Sequence, residues 1–572
     1  APIVGDFDSN VARITAFYER ACSAEKTEPV RLLLTPELSV SGYALHDLLD
    51  RPEIFTRTEA ALAKLTALTK GKKTALVVGH VVRNPKSSGR AAMNCVSVLE
   101  GGKIVHTQAK TLLPTYDVFD EARYFEPASE HTLWEVKDAS GKTTKIAFAI
   151  CEDLWGADLV LGRQIYGKNP AEVWRGLNPD LFISLSASPY EYAKREHREA
   201  LHAEVAKKVG ATLLYVNQVG ATDDILFDGA SFAIGKDGKV AGRLAAFRES
   251  FQVFDTAKGK FEDSTGNASV KDEVADAFSS PREDVAPDDL DVLIRGLVHG
   301  IETYFKTTRF KLAILGLSGG IDSAVVAALA VKALGPKNVF GLAMASQYSS
   351  PHSLADAETL AKNLGMPFEV RPIKFLFSTA NREIGEARGE LADIAQENLQ
   401  ARLRGMILMT LANHYNALVL TTGNKSEIAT GYCTLYGDMC GALAPIGDVL
   451  KTRVYEIARR LNEMARENGE VPPIPESTLT KAPSAELRPD QKDQDSLPPY
   501  DELDALLVDY LERFVPVDEL EKKHGAWTRD ILRKIELNEY KRRQAAPVLK
   551  VSSKAFGVGR RVPIAKVWDQ KI

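Results

Sequence analysis

The stretch Lys311-Leu-Ala-Ile-Leu-Gly316-Leu317-Ser318-Gly319-Gly320-Ile321-Asp322-Ser323-Ala-Val-Val-Ala-Ala-Leu-Ala330 decides how the second half of the chain folds. The apolar run Leu312 to Leu317 reads as a buried strand, two glycines let the backbone bend close to a ligand, and small residues open a helix that stops at Gly335-Pro336. Such a loop turns unpaired amides and the positive end of a helix toward an anion, with the hydroxyls of Ser318 and Ser323 beside them. The Gly-Lys-Ser/Thr ending that would place an ammonium on the outer phosphates is missing, and Asp322 stands there instead. A carboxylate facing phosphates makes sense through a divalent cation, and Mg²⁺ suits oxygen ligands plus phosphate. The expectation is a pocket that grips pyrophosphate and leaves the α-phosphorus open to attack.

Outward from this loop, Leu290 to Phe305 has helical spacing and leads into it. After it come a strand (Asn338 to Met344), a helix (Ser353 to Leu364), a strand (Phe368 to Ile373), a helix (Leu399 to Tyr415) and a strand (Ala417 to Thr422). This alternation predicts a parallel sheet with ligands at the strand C-termini. Thr422-Gly423-Asn424-Lys425-Ser426-Glu427 leaves the last strand on that side. Thr422 can meet ATP and Glu427 can hold Mg²⁺ or a second substrate, with plain helix capping as the alternative. Lys451 opens a further helix, and Pro472 to Pro499 is a long proline-rich loop, expected to be disordered or a lid, whose Lys481 could close on phosphates. Lys541 to Lys566 carries eight basic residues and no acid, either a solvated face or a clamp on an anionic dinucleotide. Ser-Gly-Gly-Ile-Asp-Ser resembles the signature of the ATP pyrophosphatases, the PP-loop family, which activate a carboxylate or carbonyl by adenylation.

The first half carries different chemistry. Helical spacing at Asn10 to Cys22, Thr58 to Leu68 and Glu196 to Val209 alternates with strands. These are Arg31 to Pro36, Thr74 to Val82, the Ala92 to Leu99 and Lys103 to Gln108 hairpin, Lys145 to Ile150, Leu181 to Leu185, Thr212 to Val216 and the Ser231 to Val240 hairpin. Three of them end on Glu37, Lys110 and Cys151. A cysteine is a good nucleophile only as thiolate, so it needs a base and positive charge nearby. Glu37 can take the thiol proton and return it to leaving ammonia, while Lys110 can steady the oxyanion of a tetrahedral intermediate. Pro36-Glu37-Leu38, Lys110-Thr-Leu-Leu-Pro114 and Cys151-Glu152-Asp153 look like the Glu-Lys-Cys site of the nitrilase/amidase superfamily. That likeness implies an αββα sandwich over almost all of residues 1 to 260, and Glu121 as a second glutamate holding lysine and nucleophile. It also implies glutamine binding at Tyr116, Ser188 and Lys194, although Ser186-Ala-Ser188-Pro could simply be a turn.

At 572 residues the chain needs two or more cores, and 45% apolar with 26% charged residues describes a globular protein. A net charge of -5 argues against nucleic acid as a partner, and no apolar run approaches a membrane span. The five cysteines are scattered without a Cys-x-x-Cys, so neither a disulfide framework nor a zinc site is indicated and a cytoplasmic setting fits. The chain opens at Ala1-Pro-Ile-Val-Gly-Asp as if a first strand had been cut off. A polar stretch separates the halves, which gives domains at 1–265 and 290–572 with a linker at 266–289.

Together with Thr-Gly-Asn-Lys-Ser-Glu, Tyr-Gly-Asp-Met and Lys-Arg-Arg-Gln, the two signatures resemble the NAD⁺ synthetases that use glutamine, over essentially the whole chain. The resemblance implies a nitrilase-like αββα glutaminase followed by a Rossmann-like parallel-sheet PP-loop domain. The substrates would be glutamine, ATP and deamido-NAD⁺, with Mg²⁺, no tightly bound organic cofactor and a homo-oligomer. It places Gly316 to Ser323, Thr422 and Lys451 on ATP, Asn398, Glu427 and Lys541 on deamido-NAD⁺, and Asp322 and Glu427 on the metal. Met344-Ala345-Ser346 departs from the family's usual Met-Pro-Ser. Two other classes stay open: a PP-loop amidotransferase acting on another carboxylate, and a non-catalytic assembly surface.

Overall fold

The structure, a computed structural model, describes residues 1–23, 30–137, 141, 143–156, 159–160, 163–262, 289–385 and 391–568. The chain divides into two compact units, Ala1–Val285 and Ala286–Ile572. The expected linker, 266–289, lies outside the described residues except for Asp289, which opens the helix Asp289–Thr308.

In the first unit a four-stranded sheet runs in the order Leu32–Leu34, Ala75–Arg83, Ala92–Glu100, Lys103–Ala109. A six-stranded sheet runs Val240–Arg243, Phe232–Ile234, Thr212–Asn217, Leu181–Ser186, Thr143–Ile150, Leu133–Lys137, its central three strands parallel. The strand Ala75–Arg83 shows why these segments read as unbroken apolar runs. Ala75 and Val77 face Phe148, Ile183 and Leu185 of the other sheet, while Leu76 and Val78 face Tyr18, Leu62 and Leu65 of the helices Phe7–Ser23 and Pro52–Leu68. Both faces are buried, so the period of two stays but its polar half disappears. Trp174 and Ala206, from Pro170–Leu177 and Lys194–Val209, cover the second sheet over Phe182 and Leu213. The layers are therefore helix, sheet, sheet, helix, the expected αββα sandwich.

In the second unit four parallel strands run in the order Phe368–Val370, Val339–Ala343, Ala313–Gly316, Leu418–Val419. The strand order reverses at Ala313–Gly316, and such a switch point opens a crevice beyond the strand C-termini. The helix after it, Ile321–Leu334, is buried nearly all round, and its alanines let Asp289–Thr308 and Lys451–Glu467 approach closely. This is the Rossmann-like parallel sheet that the PP-loop signature implies.

Three segments differ from their sequence expectation. The helix expected from Leu399 begins at Asp393, and a helix at Lys374–Gly385 had no clear periodic signal. The proline-rich stretch is neither loose nor uniform: it holds the short helix Glu476–Thr480, a 3₁₀ turn at Asp493–Asp495, and a Leu487 carbonyl that accepts from Gln400 Nε2 at 2.9 Å. Of the eight basic residues in the C-terminal stretch, Arg542, Lys550 and Arg560 are buried. Arg542 donates to the carbonyls of Ile428 and Ala429, and Arg560 pairs with Glu536 and Glu539. No helix of the described residues is long and apolar enough to cross a membrane.

Candidate active sites

In the first unit the strand tips converge as their sequence positions suggest. Cys151 follows the strand Thr143–Ile150 directly and adopts φ +42, a left-handed conformation that turns the chain sharply into the 3₁₀ segment Cys151–Leu154. Asp153 anchors that turn. One carboxylate oxygen accepts from Ile150 N at 3.1 Å, and the other accepts from Thr111 N and Leu112 N at 2.9 and 2.8 Å, tying the nucleophile's turn to the segment after Lys110.

The Lys110 ammonium sits 2.8 Å from Glu37 Oε1 and 2.8 Å from Glu121 Oε1, all three side chains buried. Glu37 Oε1 also accepts from Asn94 Nδ2 at 2.7 Å, and its Oε2 from Ala187 N at 2.9 Å. The Tyr43 hydroxyl donates to Glu121 Oε1 at 2.8 Å, whereas Glu121 Oε2 has no donor among the described residues. Burial pulls the lysine down, but Glu121 and Glu37 more than compensate, so it stays an ammonium. Burial pushes Glu121 up to about 7 against the pull of Lys110. Burial, then the Glu37 charge, hold Cys151 well above the ordinary thiol range, with Lys110 opposing, so the resting nucleophile is a thiol. Its proton must move as it attacks.

The glutamine-binding candidates are brought together only in part. The Tyr116 and Tyr166 hydroxyls donate to Glu152 Oε1 at 2.9 and 2.7 Å, and the Lys194 ammonium lies 5.4 Å from the Trp155 ring, close enough to favour the Glu152 carboxylate. Ser188 is held by its amide, which donates to Asn217 Oδ1 at 2.9 Å. Asn94, Tyr43, Ala187 N and Glu152 were missed from sequence. Only Glu152, beside the nucleophile, carried a signal.

In the second unit the phosphate loop is drawn tight by its own hydroxyls. Ser318 Oγ accepts from Gly320 N at 3.2 Å, and Ser323 Oγ donates to the Gly320 carbonyl at 3.0 Å. Gly319 has φ +78, and a Cβ there would lie 2.2 Å from the Ser353 carbonyl oxygen, so only glycine fits. Asp322 opens the following helix. Its Oδ1 accepts from Asn424 Nδ2 at 2.9 Å and its Oδ2 from Lys451 Nζ at 2.5 Å. Lys451 also reaches Glu427 Oε1 at 3.1 Å. Burial raises Glu427 to about 7, with Lys451 opposing and Asp322 adding to the rise.

The helix-capping alternative is present here. Asn424 Oδ1 accepts from Glu427 N at 3.0 Å, completing a capping box at Lys425–Thr430 while its amide serves Asp322. Asp504, unremarked in the sequence, joins both helix starts. It accepts from Ser426 Oγ at 2.5 Å and from Thr452 N and Oγ, both at 2.8 Å. Asn398 and Lys541 meet across one loop. Asn398 Oδ1 accepts from Thr434 Oγ1 at 2.7 Å, and Lys541 Nζ donates to the carbonyls of Gly431 and Cys433 at 2.7 and 2.8 Å. Thr422 lies partly buried between the last strand and Asn424. Lys481 already pairs, with Glu486 at 2.6 Å.

Comparison with known proteins places these two constellations in one lineage. The NAD synthase family model matches residues 293–545. A glutamine-dependent NAD(+) synthetase of Synechocystis sp. is 42% identical over 99% of this chain and 97% of its own length, and one of Acinetobacter baylyi is 38% identical over 99% and 97%. The solved glutamine-dependent NAD⁺ synthetase of Acinetobacter baumannii, in complex with adenosine diphosphate, superposes with a TM-score of 0.72 at 35% identity, covering 99% of this chain and 97% of that one. Since likeness of this depth spans both the Cys151 unit and the Asp322 unit end to end, the chain belongs to the glutamine-dependent NAD(+) synthetase family.

Proposed function

We propose that the chain makes NAD⁺ from deamido-NAD⁺, ATP and glutamine, with Cys151 releasing ammonia and the Asp322 crevice consuming it. In the first unit Glu37 accepts the Cys151 proton as sulfur attacks the glutamine carboxamide, and Lys110 stabilises the oxyanion. Glu37 returns the proton to the leaving ammonia, and water then opens the thioester to glutamate. Tyr116, Lys194 and Ser188 would hold the amino-acid end, with Glu152 beside them.

In the second unit Gly316, Leu317, Ser318, Gly319, Gly320, Ile321 and Ser323 cradle the phosphates of ATP, with Thr422 and Lys451 alongside. Asn398, Glu427 and Lys541 take deamido-NAD⁺. The nicotinate carboxylate displaces pyrophosphate from the α-phosphorus, and ammonia displaces AMP from the acyl-adenylate. Mg²⁺ fits the residues present: Asp322 and Glu427 are two carboxylates sharing a single ammonium, and Mg²⁺ binds through one or two carboxylates plus phosphate oxygens. When bound there it would neutralise charge on the pyrophosphate. The ammonia must arrive unprotonated and before water, which favours a passage closed to solvent.

The carrying observation is the buried Glu37-Lys110-Glu121 triad, which a non-catalytic relic would have no reason to keep. The test follows NAD⁺, AMP and glutamate together in the purified protein with glutamine and Mg-ATP, using deamido-NAD⁺ or other carboxylates. Cys151→Ala is expected to lose synthesis from glutamine and keep it from ammonium, and Asp322→Asn to lose synthesis from either source while still releasing glutamate. ATP cleavage with another carboxylate but not with deamido-NAD⁺ rejects the substrate assignment. Full dilution of labelled glutamine nitrogen by free ammonia rejects the closed passage.

A further inference from the structure

We propose that Arg404 is a catalytic residue of the adenylation step, its guanidinium binding the oxyanions that meet there, the attacking carboxylate or the α-phosphate. This deepens the function proposed above and rests on it. Arg404 lies on the helix Asp393–Tyr415, partly buried, and its Nε donates to the Met344 carbonyl at 3.0 Å. Met344 directly follows the strand Val339–Ala343, and its methyl group would lie 3.3 Å from a Cβ on Gly316. The guanidinium is thus pinned to the C-terminal edge of the sheet, beside the phosphate loop.

Its two terminal nitrogens have no acceptor among the described residues, and no carboxylate there lies within ion-pair distance. The other buried arginines are spent: Arg198 on Asp228, Arg542 on Glu539, and Arg560 on Glu536 and Glu539. Leaving a guanidinium largely out of water without a partner is costly, and a ligand anion would remove that cost. The carboxylates that act on Arg404 from a distance are Asp438 and Glu486. Asp438 accepts from Thr434 N in the loop that meets Asn398 and Lys541, while Glu486 caps Ser350 and Ser353 next to Gly319. The free donors therefore lie between the regions expected to hold the dinucleotide and ATP. Burial lowers Arg404 to about 10, which leaves it charged at neutral pH.

In the step itself a carboxylate oxygen forms a bond to the α-phosphorus. The bond from that phosphorus to the bridging oxygen breaks, and its electron pair leaves with pyrophosphate. A planar two-pronged donor holds both oxyanions as their charges are pressed together.

The experiment uses full-length Arg404→Gln and Arg404→Lys with four readouts: deamido-NAD⁺-dependent exchange of pyrophosphate into ATP, calorimetric binding of Mg-ATP alone and of deamido-NAD⁺ alone, glutaminase rate, and melting temperature. The Gln variant is expected to lose exchange by on the order of 100-fold, with the Lys variant between it and wild type, while glutaminase stays within about twofold and melting is unchanged. Weakened ATP binding assigns the α-phosphate, weakened deamido-NAD⁺ binding assigns the carboxylate, and a fall in rate alone assigns a contact made only in the transition state. Wild-type exchange in the Gln variant overturns the role of Arg404 and leaves the proposed function standing. A parallel fall in exchange, glutaminase and melting makes the residue structural. Absence of exchange in the wild type sinks both.

Discussion

Glu121→Gln separates charge kept for chemistry from charge kept for the fold. Burial raises this carboxyl from its ordinary 4.5 to about 7 even though Lys110 pulls the other way. Keeping it ionised in the folded protein therefore costs about 3 kcal/mol at roughly 1.4 kcal/mol per pH unit. The sign follows from proton counting. Between 4.5 and about 7 the folded state binds more protons than the unfolded one, so this group's contribution is full below 4.5 and is lost as pH rises through about 7. Glutamine has no proton to lose, and its carbonyl oxygen can still accept from Lys110 and Tyr43. Stability relative to wild type should then climb by about 2–3 kcal/mol between about pH 5 and pH 8, measured by urea denaturation across that range. Glutaminase activity should fall about 10- to 100-fold, the worth of one charge-assisted hydrogen bond of about 1.5–3 kcal/mol, because Glu37 becomes half of a neutral pair with Lys110. A stability difference that is the same at both ends of the range refutes the reasoning.

Gly319→Ala puts a methyl group against the Ser353 carbonyl at a φ of +78, so ATP-dependent synthesis from ammonium should drop by at least about 100-fold while glutaminase is unaffected. Normal ATP use by that variant would show that the loop does not grip phosphate in this conformation. Asp504→Asn keeps the shape but aims an amide at donors from Ser426 and Thr452, a loss of about 3 kcal/mol. The spacing of Glu427 and Lys451 should loosen, seen as a rise in KM for ATP with glutaminase unchanged. An unchanged KM would mean that Asp504 does not position them.

Much of this was legible because the chemistry sits at strand ends. The αββα layers and the parallel sheet follow from apolar runs cut by glycine and proline, and Glu37, Lys110 and Cys151 each follow such a run closely enough to be assigned to one edge. What could not be read is what reaches that edge from elsewhere. Asn94 lies near the start of Ala92–Glu100, inside the strand, where periodicity gives a polar residue no special standing, yet it donates to Glu37. Asp504 lies 78 residues from Ser426 and 52 from Thr452, inside a helix whose other acids are exposed. The buried part of the basic C-terminal stretch was illegible for a related reason. Composition counts charges but not their partners, and Glu536 and Glu539, just outside the counted window, absorb Arg560 and Arg542.

The least legible feature is one the two units share. Each centres on a buried ammonium between two carboxylates, Lys110 with Glu37 and Glu121, and Lys451 with Asp322 and Glu427. One positive charge for two negative ones leaves a surplus, and in each cluster burial together with that surplus lifts a glutamate to about 7. A neutral lysine-glutamate pair would hold either fold at lower cost, so the second carboxylate is explained by chemistry and not by packing. In the first unit, under the function proposed above, the surplus negative charge lies beside Cys151, and a zwitterionic glutamine brings no net charge to cancel it. In the second, phosphates would add to the surplus, so the ligand that binds must bring positive charge with it. On the proposed function the same triad serves as a proton acceptor in one setting and a seat for a cation-bearing nucleotide in the other, and what distinguishes them is the charge of the substrate each must admit.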